Sequence, residues 1–300
     1  FLFPGQGAQY SGMASKFYQQ FSVFRQQLDQ CANHLHAQLG LDIRQLIFNQ
    51  SEKNDQQLLQ TKLTQPVIFS ISFALAKLLQ SLAIQPKVIL GHSLGEYVGA
   101  CLAGVFSLED GLNIVVARAQ LMQNSAAGAM LVIEHGPEAA SHYLTGAITI
   151  AAINDKDSCT LSGPLLEIEN LEIQLTENSI FFQRLQTSGA FHNSLMDHAR
   201  SPLTELFSKI QLSSPKIPII SNLSGKWMTD EEAQDPQYWA KQMTSPVLFS
   251  CGLEQLKSHT DCCIEVGPGQ ALASLAKKQG WSNSTFHLIP NKMRSTHSSE

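Results

Sequence analysis

A chain of 300 residues with 43% apolar and only 15% charged side chains is long enough to bury a large core and too poor in charge to be disordered. Its formal net charge of −5 offers no basic field to hold a phosphate backbone, which sets nucleic acid aside as a partner. Six cysteines occur without a CxxC pair, and the vicinal Cys262-Cys263 suits neither a structural disulfide nor a zinc site, so a reduced, cytoplasmic protein without a metal is expected.

The chain opens at Phe1 in an apolar run instead of at Met, which suggests a piece trimmed or excised from a longer polypeptide. Phe1-Leu2-Phe3 reads as the end of a buried strand, broken into a loop by Pro4-Gly5-Gln6-Gly7. Helical patterns follow at 13–21, 24–40 and 65–83, the last with Pro66 near its first turn, where a missing N–H costs nothing. The longest apolar stretch, 67–79, is thirteen residues and falls short of the roughly 20 needed to span a bilayer, so no membrane segment is expected. A short strand at 87–90 leads to a helix at 96–103. Ser107 with Asp110 then makes a capping-box-like start for a helix running to about 125.

From 128 to 187 the texture changes: strand 130–133, helix 137–144, strands 148–153 and 159–162, helix 165–178, strand 181–186. That βαββαβ order predicts a small ferredoxin-like subdomain, 128–187, inserted into a larger α/β fold made of 1–127 and 188–290. After it come a helix at 195–210, a strand at 217–221, a helix at 238–243 and a strand at 263–266. Gly267-Pro268-Gly269 turns into a helix at 271–278, and 291–300 read as a disordered tail.

Gly91-His92-Ser93-Leu94-Gly95 fits G-x-S-x-G between a predicted strand and a predicted helix, the context of a nucleophile elbow. Ser93 would sit at a helix N-terminus, where free N–H groups and the helix dipole favour an anion developing on a substrate. A serine hydroxyl needs a base, and ten histidines compete for that role. His92 is expected to point away from Ser93, and His34, His36, His135, His142, His259 and His297 lie in polar stretches. His192 lies where the inserted segment hands the chain back, a natural cleft position, and His198 is the second choice. Neither has an obvious aspartate partner in sequence. Arg118 shares a helical face with Ile114, Val115, Leu121 and Met122, a fixed cation without a local counter-charge. It reads as the partner of a distant Asp or Glu, as a stem that snorkels to water, or as a two-pronged clamp for a substrate carboxylate. Gly5-Gln6-Gly7 and Gly267-Pro268-Gly269 lack the lysine and spacing of a phosphate loop and read as loop geometry.

Phe3-Pro4-Gly5-Gln6-Gly7-Ala8-Gln9, Gly91-His92-Ser93-Leu94-Gly95-Glu96, Arg118 with Leu121-Met122, Ala190-Phe191-His192 and Glu265-Val266-Gly267-Pro268-Gly269 occur in that order along nearly the whole chain. Together they resemble the malonyl-CoA:acyl carrier protein transacylases and, equally, the acyltransferase domains of polyketide synthases. Glu96-Tyr97-Val98 and Gly104-Val105-Phe106-Ser107-Leu108-Glu109-Asp110 lean toward the polyketide branch. The resemblance implies an α/β-hydrolase-like core with a ferredoxin-like insert, with Ser93 as the acylated nucleophile and His192 as its base. A backbone carbonyl, that of Gln242, would hold the imidazole in place of an aspartate, and the N–H groups of Gln6 and Leu94 would form the oxyanion hole. Arg118 would pair with the free carboxylate of a malonyl group.

The resemblance further implies no bound cofactor, malonyl-CoA as the donor thioester, and a phosphopantetheinylated acyl carrier protein as the acceptor. The protein would be a monomer or part of a larger synthase, active in polyketide or fatty acid biosynthesis. Phe191 resembles malonyl-selective members, whereas Gly189, where many of them have His, departs from the pattern and leaves a wider pocket open. Two rivals remain: an acyl-thioester hydrolase with a proofreading role, and a silent carrier-protein docking module. Arg118 argues against the first, since a hydrolase clearing uncharged acyl chains gains nothing from a buried cation. The intact Ser93, His192 and Gly95 set argues against the second.

Overall fold

The computed structural model describes residues 1–187, 189–281 and 284–292. The described residues form nine strands: β1 (Leu2–Phe3), β2 (Ile89–Gly91), β3 (Gly128–Ile133), β4 (Thr149–Ile153), β5 (Cys159–Pro164), β6 (Phe182–Arg184), β7 (Ile219–Ile220), β8 (Cys263–Pro268) and β9 (Thr285–Ile289). They form two sheets. Five pair in the order β7-β2-β1-β8-β9 with every pairing parallel, and each crossover between them carries helices. Covered on both faces, β1 and β2 are buried along their whole length, which is why the sequence shows apolar runs there instead of alternation. The other four strands pair antiparallel in the order β4-β5-β3-β6, the split-βαβ arrangement expected of a ferredoxin-like insert. This sheet holds its own small core, in which Leu131, Ile133 and Leu161 meet Ile168, Leu171 and Leu175 of the helix Leu165–Glu177.

The helix Thr61–Ser81 is the spine of the larger part, and seventeen of its 21 residues are buried. It starts four residues earlier than expected, so Pro66 is its sixth residue and lies beyond the first turn. At 21 residues it also reaches membrane-spanning length, longer than the apolar run suggested, but 89% of its most apolar window is packed inside the protein. The expected helix 13–21 ends at Gln20, because Phe21 is extended and starts the next helix, Ser22–Leu39. The expected helix 137–144 shrinks to Pro137–Ala140 followed by a 3-10 turn, Ser141–Tyr143. The expected helix 195–210 opens as a 3-10 turn, Ser194–Ala199, before Arg200–Phe207 becomes α-helical. Pro202 has no N–H to return to the carbonyl of His198, so α-helical bonding cannot reach further back.

Ile43–Phe48, Glu52–Gln57, Asp230–Gln234, Phe249–Leu256 and β9 were not anticipated. Each is eight residues or fewer, too short for a period to declare itself. Of the expected tail, Asn291 and Lys292 are described, and Lys292 pairs with Asp55 at 2.6 Å. Residues 293–300, His297 among them, lie outside the described residues.

Candidate active site

The end of β2 turns into the helix Leu94–Ala103 through Ser93, whose backbone has φ 52° and ψ −109°. Sterics disfavour that geometry for any side-chain-bearing residue, at a cost of roughly 1 to 3 kcal/mol, and such positions cluster at functional sites. Close approach explains the flanking glycines: a Cβ on Gly91 would lie 2.1 Å from the Glu96 nitrogen, and one on Gly95 2.0 Å from the Phe3 carbonyl. The Leu94 N–H, first in its helix, meets no acceptor among the described residues, and neither does the Gln6 N–H. The loop from Pro4 to Ala8 presses against this turn, since a Cβ on Gly5 would sit 3.7 Å from Ser93 Cβ. Gly267 and Gly269 brace the same loop from behind. A Cβ on Gly267 would overlap Pro4 Cγ at 2.4 Å, and one on Gly269 would overlap Ala8 Cβ at 2.5 Å. The Gly-Pro-Gly turn is thus the rear wall of the loop that carries Gln6.

His192 also has a positive φ, 55°, and its imidazole reaches Ser93 with Nε2 2.7 Å from Oγ. On the other side of the ring, Nδ1 lies 2.8 Å from the Ser245 carbonyl and 3.2 Å from that of Gln242. Carbonyl oxygens only accept, so Nδ1 carries the proton and the Nε2 lone pair faces the serine hydroxyl. The sequence pointed to Gln242 alone; Ser245, three residues on, is the nearer acceptor. Burial, Arg118 and His92 together bring the His192 pKa down to about 3, so the imidazole is neutral near pH 7. His92 points away from Ser93 as expected, bonding Asn154 Oδ1 at 2.8 Å. His198 is turned outward, with its ring nitrogens on the carbonyls of Leu195 and Leu121 instead of on Ser93.

Arg118 is fully buried on the helix Leu108–Gln123. Its Nη1 donates to Gln65 Oε1 at 2.6 Å and its Nη2 to Ser93 Oγ at 3.1 Å, and the guanidinium carbon sits 5.0 Å from the centre of the Tyr97 ring. Among the described residues no carboxylate lies within salt-bridge distance of it, and its Nε has no partner. Neither the distant-carboxylate reading nor the snorkelling one describes it. Phe191 is 5% exposed, and a Cβ at Gly189 would lie 3.0 Å from Ser125 Oγ and 3.4 Å from the Phe191 ring. Ser125 and Phe191 therefore already crowd the room that glycine seemed to open.

Three side chains to which the sequence assigned no role, those of Glu96, Asn222 and Tyr238, form the floor together with the side-chain amide of Gln242. The Glu96 carboxylate is fully buried and accepts from the Asn222 N–H, the Tyr238 hydroxyl and the Gln242 side-chain amide. Asn222 Oδ1 in turn accepts the Ser93 N–H at 2.8 Å, and Gln242 Nε2 donates to the Ser93 carbonyl at 2.8 Å. A lone carboxylate in the apolar run Leu94–Ala103 was the available signal. Its partners come from residues more than 120 positions away, and no spacing in the sequence joins them.

Chemically, this is a serine hydroxyl beside a neutral imidazole at a helix N-terminus, next to a cation with donors to spare. Residues 1–297 match the family model of the acyl transferase domain. A phenolphthiocerol/phthiocerol polyketide synthase polypeptide of Mycobacterium tuberculosis is 37% identical over 296 residues, which are 98% of this chain and 20% of that protein. The chain thus spans about a fifth of the length of that synthase polypeptide. The solved acyltransferase domain of SpnD, in complex with 2-(pent-4-yn-1-yl)malonyl, superposes with a TM-score of 0.91 at 31% identity, covering 98% of this chain and 71% of that one. The malonyl-CoA-acyl carrier protein transacylase of Clostridium perfringens gives a TM-score of 0.85 at 28% identity, covering 97% of this chain and 92% of that one. With the matched model running through the elbow, the histidine loop and the rear glycine turn alike, the chain belongs to the acyltransferase family of polyketide synthases and malonyl-CoA:acyl carrier protein transacylases.

Proposed function

We propose that this acyltransferase moves a malonyl group from malonyl-CoA to the phosphopantetheine thiol of an acyl carrier protein through an ester on Ser93. The observation that carries the reading is the pairing of Ser93 Oγ, 2.7 Å from His192 Nε2, with a buried Arg118 that has no carboxylate partner among the described residues. In the first half-reaction the Ser93 hydroxyl gives its proton to His192 Nε2 as its oxygen attacks the thioester carbon. The Gln6 and Leu94 N–H groups receive the developing oxyanion, each worth about 3 kcal/mol in such sites. Collapse of the adduct expels the coenzyme A sulfur, which takes the proton back from His192. In the second half the same neutral imidazole takes the proton of the carrier thiol, whose sulfur attacks the Ser93 ester; as the ester C–O bond breaks, the imidazolium returns that proton to the serine oxygen, restoring hydroxyl and neutral base.

Arg118 receives the malonyl carboxylate in this scheme, a group that suits its fork of N–H donors. The SpnD domain, solved with a substituted malonyl group, supports an acyl group of that kind. Phe191 beside His192 favours malonyl over a branched extender unit. Carrier protein and neighbouring domains would reach the site within a larger synthase, and six free cysteines accord with a reducing, cytoplasmic setting. Mass spectrometry of the intact protein incubated separately with malonyl-CoA, methylmalonyl-CoA and acetyl-CoA tests the reading. A single malonyl adduct on Ser93 is expected, and preferential acetylation would contradict it.

A further inference from the structure

We propose that Glu96 is a positioning residue that holds nucleophile and base in one register, standing in at a distance for the aspartate that a Ser-His pair lacks. The proposal rests on the dyad reading above. Glu96 lies three residues past Ser93 on the helix Leu94–Ala103, and its hydrogen bonds go to Asn222, Tyr238 and Gln242 instead of to Ser93 Oγ or His192.

Two arms leave this carboxylate. From Oε1 the link runs to the Asn222 N–H at 3.0 Å. The Asn222 side chain then accepts the Ser93 N–H at 2.8 Å and donates to the Gly91 carbonyl at 2.7 Å, so it grips the elbow on both sides of His92. From Oε2 the link runs to Gln242 Nε2 at 2.9 Å; the same nitrogen donates to the Ser93 carbonyl, and the Gln242 main-chain carbonyl faces His192 Nδ1. One arm ends on the nucleophile and the other on the base. Their common origin fixes the 2.7 Å separation between Ser93 Oγ and His192 Nε2.

The chemistry requires a carboxyl group here. The Asn222 N–H and the Gln242 NH2 can only donate and address opposite oxygens, so each oxygen must accept, while Tyr238, whose hydroxyl also reaches Ser221 Oγ at 2.7 Å, can serve the group with or without its proton. In Glu96→Gln the new NH2 group would meet the Gln242 NH2 group head on. The relief open to Gln242 is a flip that brings its Oε1, now buried without a partner, onto the new amide. That flip sets an oxygen against the Ser93 carbonyl, and the hold on the elbow is lost.

The test uses the full chain with two variants: Glu96→Gln, and Gln242→Met, which removes the side-chain donor and keeps the main-chain carbonyl. Two readouts are taken: self-acylation by malonyl-CoA resolved into kcat and KM, and the NMR signal of the His192 Nδ1–H without substrate. Both variants should lose about 10- to 100-fold in kcat, the cost of misplacing reacting groups by a fraction of an ångström to an ångström, with KM within about 3-fold of the parent. Both should also shift or broaden the His192 signal. Folded variants with parental kcat and a parental His192 signal would overturn the proposal, as would a loss confined to KM. If Glu96→Gln does not fold, Gln242→Met decides alone. If the parent takes up no malonyl, the dyad reading fails, while the His192 signal still reports whether Glu96 reaches the base.

Discussion

The two sides of Ser93 are built on opposite terms. On the side of the elbow helix, Glu96, Asn222, Tyr238 and Gln242 form a buried network in which the carboxylate has a donor at each oxygen, and what goes unpaired is a neutral atom, Gln242 Oε1. On the other side, Arg118 is buried just as deeply, yet it faces a neutral amide and a hydroxyl, leaves its Nε unpaired and has no carboxylate within salt-bridge distance among the described residues. A buried polar group that is fully paired fixes geometry, and one left short of partners costs stability until something supplies them. The floor therefore reads as scaffold, and the Arg118 side as a receptor for an anion that arrives with the substrate.

Removing the groups between the two sides should have the largest effect. Ser93→Ala should abolish the acyl adduct while the protein stays folded, because the hydroxyl faces the site and its loss opens no core cavity; an adduct on another residue in the intact-mass spectrum would contradict the assignment. His192→Ala should slow self-acylation by about 10²- to 10⁴-fold, the usual worth of a general base, measured by quenched-flow mass spectrometry. An unchanged rate near neutral pH would point to a different base.

A smaller effect is expected from Arg118→Lys. A point charge lacks the two-pronged fork, so malonyl transfer should recover only in part, roughly 10-fold below the parent in kcat/KM. Full recovery would mean that charge alone, without shape, serves the receptor.

The smallest effect separates the floor from the base by pH. Burial pushes Glu96 up to about 7 from its ordinary 4.5, so between those values the folded protein holds a proton that the unfolded chain has released. Its contribution to stability falls as pH rises through that window. Burial and neighbouring charge push His192 down from 6.5 to about 3, so its contribution is complete above 6.5 and is lost as pH falls toward 3. Melting temperatures from pH 4.5 to 7 should therefore show the parent losing ground to Glu96→Gln as pH rises and gaining ground on His192→Gln. Parallel curves would remove the assigned shifts. Glu265, also raised to about 7 by burial, is common to every variant and cancels.

Much of this site could be read along the chain because its signals are local. Gly91-His92-Ser93-Leu94-Gly95 needs its glycines within five residues, Arg118 betrays itself by the apolar face around it, and the strand order of the insert follows from consecutive elements. His192 was harder, since position favoured it over His198 without excluding the latter, and the resemblance made the choice. Glu96 and Asn222 were invisible as partners, because 126 residues separate them and only the parallel sheet places β7 next to β2. Ser245 went unseen for another reason: its contribution is a backbone carbonyl, and every residue has one.

If Arg118 receives an acyl carboxylate, as proposed, the substrate supplies the salt-bridge partner that no described side chain provides. The most direct measurement is kcat/KM for self-acylation of Arg118→Ala with malonyl-CoA and with acetyl-CoA, with thermal melting alongside. Loss of a charge-assisted pair of hydrogen bonds, worth roughly 2 to 4 kcal/mol, should lower the malonyl value by about 30- to 1000-fold and leave acetyl equal or improved. Equal losses with both donors, together with a lower melting temperature, would contradict the claim and mark Arg118 as a structural cation.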